Sequence, residues 1–237
     1  MSSIIFEKQE LSVLKSSIIL LNYLFAILGG YKRLAVFIEN RIGNSPKEIS
    51  VTMTIRFTLY LIIVTTTIII AYPLIKKSIK EFSRNHLGGL VSILFITSLG
   101  LLFIVVIMKV SGLNLRNQID TAISMKENMY YRIFVALIYA PIVEEIVFRG
   151  VLYPAISNRY GYLCAIFITS FLFAFLHISD SLNNCGIEAF FYFSIYFVMS
   201  IGFCASYEYT SSVLGAIINH FIWNLLTVVA MVLNVLT

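Results

Sequence analysis

Long apolar runs recur along almost the whole chain, and they restrict the folds that are open to it. A helix needs about 20 apolar residues to cross a hydrocarbon layer about 30 Å thick. The sequence therefore predicts an integral membrane protein with about seven membrane helices, within a range of about six to eight. The windows that we assign to them are Leu11 to Gly30, Phe57 to Ile75, Leu87 to Met108, Tyr130 to Ile156, Tyr162 to Ile178, Ile187 to Tyr207 and Val213 to Leu236.

These windows favour helices over strands. They lack the strict alternation of apolar and polar residues that a membrane-spanning β-barrel requires. Only 12% of the residues are charged, against about 25% in an ordinary soluble domain. We predict an all-α fold, a polytopic transmembrane helical bundle, which has the lipid bilayer as a partner. The composition, rich in Ile, Lys and Asn, suggests a multi-pass protein of a bacterial cell membrane.

Positive charge is spread unevenly along the chain. The formal net charge is +5, yet no Lys or Arg follows Arg159. Basic residues instead flank the early apolar windows, in one group from Lys32 to Lys47 and another from Lys76 to Arg84, as topology signals and headgroup contacts do. Nucleic acid is therefore not an expected partner. Both groups compete to be the cytoplasmic loop, and adjacent loops cannot both be cytoplasmic, so the orientation stays open.

A polar segment, Ser111 to Glu127, separates the earlier windows from the later ones. Because the unusual polar residues inside windows come after it, we expect residues 129–237 to form the functional core. Residues 1–128 would then be accessory transmembrane helices of the same membrane domain. The cysteines form no CxxC pair and predict neither a disulfide framework nor a thiolate metal site; they are Cys164, Cys185 and Cys204.

Two adjacent acids, Glu144 and Glu145, lie inside the fourth window. A charged side chain at bilayer depth costs roughly 2.5 to 3.5 kcal/mol on insertion scales, so such a residue is a functional candidate. Arg149 follows Glu145 at i+4, which is the favourable order for a helical ion pair. Glu144, displaced by about 100° around the helix, is left free to face a cavity.

Two histidines, His177 and His220, lie in later windows. If the chain turns near Asn158 to Gly161, Glu144 and His177 both lie roughly 22 to 26 Å from that turn and reach similar depth. His220 lies only about 12 Å deep by the same counting, so tilt of the last helix must supply the difference. Asn224 follows His220 at i+4 and shares its helix face. We therefore expect these groups to meet at Glu144.

The same residues form three short motifs in a fixed order. Glu144 to Arg149, EEIVFR, fits EExxxR; Phe173 to His177, FAFLH, fits FxxxH; and His220 to Asn224, HFIWN, fits HxxxN. In this the sequence resembles the CPBP family of intramembrane proteases, the CAAX proteases and bacteriocin-processing enzymes, also called the Abi family. The resemblance covers Tyr130 to about Leu226, less than half of the chain.

The resemblance implies an intramembrane endopeptidase that hydrolyses a peptide bond of a membrane-associated peptide or protein. By motif, Glu144 is implied to be the base that activates the attacking water, with His177 helping to hold that water. His220 and Asn224 are implied to stabilise the oxyanion, a role for which fixed donors in a dry site are well suited.

Three further motif residues, Glu145, Arg149 and Phe173, are implied to position the catalytic groups. The resemblance implies that no cofactor is required, although the family is often described as metalloproteases.

A zinc site is the alternative that the residues leave open. Glu144, His177 and His220 are chemically adequate ligands that would leave a position for water. The sequence contains no HExxH motif, and Glu144 cannot easily be both a ligand and the base. We therefore rank zinc second.

Two other functions are compatible with the sequence. The family also resembles bacteriocin self-immunity proteins, so a membrane interaction or immunity role, with or without proteolysis, is the main alternative. A transporter or channel would also bury charges, but it would distribute them along a path through several helices. Here they collect at one site, which favours hydrolysis.

Overall fold

A computed structural model describes residues 11–42, 49–84, 86–111, 129–179 and 187–236. All the regular secondary structure within these ranges is helical. The all-helical prediction is confirmed for them. The polar segment that follows Ser111, together with Cys185, lies outside the described residues.

The described residues before the predicted functional core form five helices: α1 (Val13–Ile27), α2 (Gly30–Ile42), α3 (Ile49–Ile70), α4 (Tyr72–Arg84) and α5 (His86–Ser111). The chain turns between α1 and α2 at Gly29, whose φ of 76° suits a residue without a Cβ. Helices α2 and α4 correct the sequence prediction, which treated both segments as basic loops. Each has only 13 residues and mixes basic with apolar side chains, so neither forms an apolar window of spanning length.

The fourth predicted window is helical from residue 129 to Tyr160, and we call it α6. It contains two π-helical segments, Val135–Tyr139 and Ile146–Leu152, on either side of the short α-helical segment Ala140–Glu145. A π turn pairs each N–H with the carbonyl five residues earlier, and such turns occur often at functional sites. The two acids therefore lie on the one α-helical turn between two widened ones.

Proline explains where the π segments end. The N–H of Ala140 bonds to the carbonyl of Val135, and that of Tyr153 bonds to Phe148, each five residues back. In both cases the next residue is a buried proline, Pro141 or Pro154. Proline has no N–H, and its ring clashes with the carbonyl four residues earlier in an α-helix. A wider turn relieves that clash.

The described residues after Gly161 form three more helices: α7 (Tyr162–Ile178), α8 (Ile187–Thr210) and α9 (Val213–Leu236). The turn between α6 and α7 is at Gly161, with φ of 86°, which is where the sequence places it.

The predicted number of spans is not confirmed for the part of the chain that the structure describes. By length and apolar content, two described helices can cross a membrane, Ala189–Thr210 and Val213–Ala230. A third span is added if Thr54–Ile70 and Tyr72–Ser83 count together, although they are bent by 72°. Seven spans are thus not confirmed. Among the residues searched, three further apolar helical stretches are shorter: Val13–Ile27, Gly88–Ile104 and Tyr162–Ile178. The second window, Phe57 to Ile75, runs across this bend.

The early helices pack directly on the later ones. Tyr23 of α1 is 4% exposed and meets the ring of Phe148 edge to face, with centroids 5.9 Å apart. On the other side, Trp223 of α9 is so close to Gly100 of α5 that a Cβ there would lie 2.6 Å from the indole. Such contacts hold α6 and α9 in the interior of the bundle.

Candidate active site

Glu144 and His177 approach each other across α6 and α7. Nε2 of His177 lies 3.7 Å from Oε2 of Glu144, so the structure brings together the pair that residue counting places at equal depth. Nδ1 of His177 lies 2.8 Å from the carbonyl oxygen of Phe173. A carbonyl only accepts, so Nδ1 carries the proton, and in the neutral ring Nε2 has a free lone pair. That lone pair points towards Glu144.

Aromatic rings fix the orientation of His177. The Phe173 ring stacks on it with centroids 4.2 Å apart, and the Tyr196 ring of α8 lies 4.6 Å away on centroids. Phe173, a positioning residue by the resemblance, therefore contacts His177 through both its ring and its carbonyl. Tyr196 is a neighbour that no motif indicated, because it lies in a continuous apolar run.

The second acid, Glu145, is fully buried and bound from two sides. Nη1 of Arg149 lies 3.2 Å from Oε1 and 3.0 Å from Oε2 of the carboxylate. Nδ1 of His220 lies 2.7 Å from the same Oε1. The predicted pair of Glu145 and Arg149 is therefore present, but it is part of a triad. This corrects the expectation that His220 meets Glu144.

Arg149 is also fully buried, and its other hydrogen-bond partners lie on α8. Nη2 donates to the backbone oxygen of Ser200 at 2.7 Å and to its hydroxyl at 2.6 Å. The guanidinium lies over three phenylalanine rings, at 5.7, 5.5 and 5.4 Å from their centroids: Phe148, Phe173 and Phe203. Burying a charge is costly unless it is paired and hydrogen-bonded, and here both conditions are met. Sequence reasoning missed Ser200, an isolated polar residue in an apolar helix.

His220 is held between the triad and aromatic rings. It stacks on Phe203 with centroids 4.6 Å apart and an interplanar angle of 12°, and Phe173 meets it edge to face at 5.9 Å. Because Nδ1 faces Glu145, any bond from this ring to a substrate must come from Nε2.

Asn224 contacts the first π segment of α6. Its Nδ2 donates to the carbonyl of Ala136 at 2.7 Å. In the π register that carbonyl would pair with the nitrogen of residue 141, but Pro141 has no hydrogen to donate. Asn224 therefore replaces the missing donor, and its second amide hydrogen remains for other partners. Its predicted role at the oxyanion stays a prediction.

A second polar cluster lies beside His220. Asn219 is fully buried, and its Nδ2 donates to Ser206 Oγ at 2.7 Å and to the Gly202 carbonyl at 3.3 Å. Its Oδ1 accepts from the Thr97 hydroxyl of α5 at 2.6 Å. The cluster joins α5, α8 and α9 one residue before the histidine. The sequence did contain a signal for this cluster, because Asn219 is a polar residue in an apolar helix. It was missed because it directly precedes the motif that begins at His220.

Accessibility differs sharply between the two acids. The side chain of Glu144 is 12% exposed and that of His177 is 25% exposed. The side chains of Glu145 and Arg149 are both 0% exposed, and that of His220 is 3% exposed. The first pair is therefore partly accessible, although Oε2 of Glu144 is itself buried without a hydrogen-bond partner among the described residues, and the triad lies deeper in the bundle.

Within the described ranges, no group of three or more His, Cys, Asp or Glu side chains is arranged to hold a metal ion. The three residues considered as zinc ligands, Glu144, His177 and His220, are divided between two contacts, because His220 is bound to Glu145. This geometry does not fit a zinc site, and the mechanism proposed for these residues uses no metal. Of the cysteines, Cys164 and Cys204 are free.

Comparison with known proteins identifies one family. Residues 126–226 match the family model of the Rce1-like proteins, described as type II CAAX prenyl endopeptidase Rce1-like. The match covers somewhat less than half of the 237 residues and includes all three motifs. The resemblance to the CPBP and CAAX protease family is thus confirmed. Neither a search of curated proteins nor one of solved structures finds a match.

Proposed function

Because residues 126–226 match the Rce1-like type II CAAX prenyl endopeptidases, we propose that this integral membrane protein is an intramembrane endopeptidase. It hydrolyses a peptide bond in a membrane-associated peptide or protein. The observation that carries the proposal is the contact between Glu144 and His177, two partly accessible groups in an otherwise sealed polar cluster.

In the proposed first step, Glu144 and His177 hold the attacking water. Oε2 of Glu144 and Nε2 of His177 both accept hydrogen bonds when the acid is ionised and the ring neutral. Their separation of 3.7 Å is too long for a direct bond but suits a water that donates one hydrogen to each. Glu144 takes one of these protons as the water oxygen bonds to the substrate carbonyl carbon.

The tetrahedral intermediate then collapses. Its carbonyl oxygen carries the negative charge while the carbon is bonded to both the new hydroxyl and the amide nitrogen. Glu144 returns the proton to that nitrogen, the carbon–nitrogen bond breaks, and the amine leaves. Glu144 is thereby regenerated for the next cycle, as a general base that becomes a general acid.

His220 and Asn224 are proposed to stabilise the oxyanion. Nε2 of His220 can donate only when the ring carries both protons, since Nδ1 donates to the Glu145 carboxylate. With Arg149 also bound to Glu145, a doubly protonated His220 leaves the triad with one net positive charge. That charge is complementary to a developing oxyanion. Asn224 contributes the amide hydrogen that Ala136 does not use.

Peptide analysis of membranes tests the proposal. Cells that produce the wild-type protein are compared with cells that produce Glu144→Gln, and membrane-associated peptides are identified by mass spectrometry. We expect at least one precursor to persist uncleaved with the variant. Glu208→Gln is a matched control, because it makes the same change about 12 Å beyond Ser200 along α8. Identical peptide profiles for wild type and Glu144→Gln would reject the mechanism.

A further inference from the structure

Helix α4 runs at a steep angle to the helix before it. Helix α3 has 22 residues, which extend about 33 Å at about 1.5 Å per residue, close to the thickness of a hydrocarbon core of about 30 Å. The chain then bends by 72° before Tyr72–Ser83. If α3 crosses the bilayer, that angle leaves α4 close to the membrane plane, at the level where the span ends.

The inner side of α4 is fixed to the bundle. Leu74 is 4% exposed, and it covers Gly150 of α6 so closely that a Cβ there would lie 2.6 Å from it. The Ser78 carbonyl accepts from the Ser212 hydroxyl at 2.8 Å, and the Ser78 hydroxyl accepts from the N–H of Val213 at 3.3 Å. Helix α4 thus caps the start of α9.

The outer side of α4 is divided into two parts. Tyr72 and Ile79, seven residues apart and so on one side of the helix, are 59% and 54% exposed. Lys76 and Lys80 are exposed and share a side at i,i+4. Successive residues are rotated by about 100° around the helix. Tyr72 and Ile79 therefore lie between the side that faces the bundle and the side that carries the two lysines. This is the division that an interfacial helix needs.

We propose that α4 is an in-plane interfacial helix that binds anionic lipid headgroups through Lys76 and Lys80. Tyr72 and Ile79 then meet the upper hydrocarbon, while the ammonium groups lie among the lipid phosphates. Juxtamembrane lysines are attracted to anionic leaflets in this way. A soluble anion is the poorer fit, because it would leave the apolar pair in water.

This surface is continuous with the elements that carry the candidate active site. Leu74 rests on the residue next to Arg149, and Ser78 is bound at the start of the helix that contains His220. Binding of anionic lipid by α4 therefore fixes the height of the site relative to that leaflet. The inference depends on the helix geometry and not on the proposed hydrolysis.

A lipid titration tests it. The purified full-length protein, in neutral detergent, is titrated with phosphatidylglycerol or phosphatidylcholine, and bound lipid is counted by native mass spectrometry. We expect wild type to prefer phosphatidylglycerol, and K76Q/K80Q to bind it roughly 25-fold more weakly, since each lysine contributes about fivefold. K76R/K80R keeps the charge and should retain the preference.

The matched control is R33Q/R159Q, which removes two exposed positive charges elsewhere and should change phosphatidylglycerol affinity less than threefold. Equal loss in the control, or full retention in K76Q/K80Q, would overturn the proposal. Inorganic phosphate provides a further arm. If it displaces the lipid at a concentration similar to that of the lipid itself, α4 is a site for free anions and the inference fails.

Discussion

Nδ1 of His220 and Oε1 of Glu145 lie 2.7 Å apart, joining α9 to α6 through two fully or almost fully buried groups. This contact divides the two adjacent acids by function. Glu145 serves the interior, where it also binds Arg149. Glu144 faces His177 and the accessible side. Two carboxylates one residue apart therefore have separate partners on separate helices.

Glu145→Gln should destabilise the protein, whereas Glu144→Gln should not. The first change leaves Arg149 as a buried charge without its counter-ion, which typically costs about 3 to 5 kcal/mol. We expect less folded protein and a lower unfolding temperature in detergent, measured by circular dichroism. Glu144→Gln, the matched control one residue away, should unfold near the wild-type temperature while losing cleavage. Equal loss of folding in both variants would contradict this division.

Arg149→Lys should also be destabilising, although it preserves the charge. A lysine cannot reproduce the planar fork that binds Glu145 and Ser200 together. Ser200→Ala removes only the hydroxyl acceptor and keeps the backbone one, so it should cost less than Arg149→Lys, about 1 to 3 kcal/mol. Thermal unfolding of the two variants is the measurement. An Arg149→Lys variant as stable as wild type would show that the bidentate contacts contribute little.

Asn224→Leu should destabilise α6, because it removes the donor to the Ala136 carbonyl. A fully buried unsatisfied carbonyl costs about 1 to 3 kcal/mol, and because this one is half-buried we expect a loss near the lower end of that range. Pro141→Ala restores an N–H that can bond to this carbonyl, so P141A/N224L should regain part of the lost stability. The coupling is measured as a double-mutant cycle of unfolding free energies.

Cleavage provides the second readout for the same variants. If Asn224 also stabilises the oxyanion, P141A/N224L should recover stability without recovering activity. Recovery of both would assign Asn224 a purely structural role, and additive unfolding free energies would argue against the proline explanation.

Asn219→Leu should loosen the packing of α5 against α8 and α9. The change removes three partners at once. The Ser206 hydroxyl and the Gly202 carbonyl lose their donor, and the Thr97 hydroxyl keeps only its bond to the Ile93 carbonyl, so a loss of about 2 kcal/mol or more is expected. Thr97→Val, which removes only one contact, is the graded comparison. Unfolding free energies that rank the two variants in the opposite order would contradict the arrangement.

Chelation addresses the metal alternative. Since His177 faces Glu144 whereas His220 is bound to Glu145, we expect cleavage by the purified protein to survive exhaustive dialysis against a chelator. Added zinc should not raise the rate. Activity that disappears on chelation and returns with zinc would require a rearranged site in which His220 leaves Glu145.

Helix counting and spacing predicted part of this site. Residue counting from the turn at Gly161 placed Glu144 and His177 at the same depth and so predicted that they are close. The i,i+4 spacing predicted the pair of Glu145 and Arg149. The partner of His220 could not be found in this way, because it depends on how α9 tilts and on which side of α6 it meets. The π segments change which face of α6 is turned towards α9. Pro141 and Pro154 were visible in the sequence and could have indicated these segments.

Fold prediction failed where a helix is short and two-sided. A window long enough to span a membrane averages over the bend after Ile70 and so misses it. The basic helix α4 was therefore treated as a loop, since its lysines lower the apolar average even though Leu74 and Ser78 are buried. Leu74 and Ser78 are buried because α4 packs against the bundle, and a local sequence pattern does not show that contact.

The contact between Trp223 and Gly100 has a practical consequence. Trp223 is the chain's only tryptophan, it is 3% exposed, and it precedes Asn224. Its intrinsic fluorescence therefore reports whether α5 is packed against α9. Substrate entry or lipid exchange that shifts these helices will change the wavelength of the emission maximum, and no label needs to be attached to the protein.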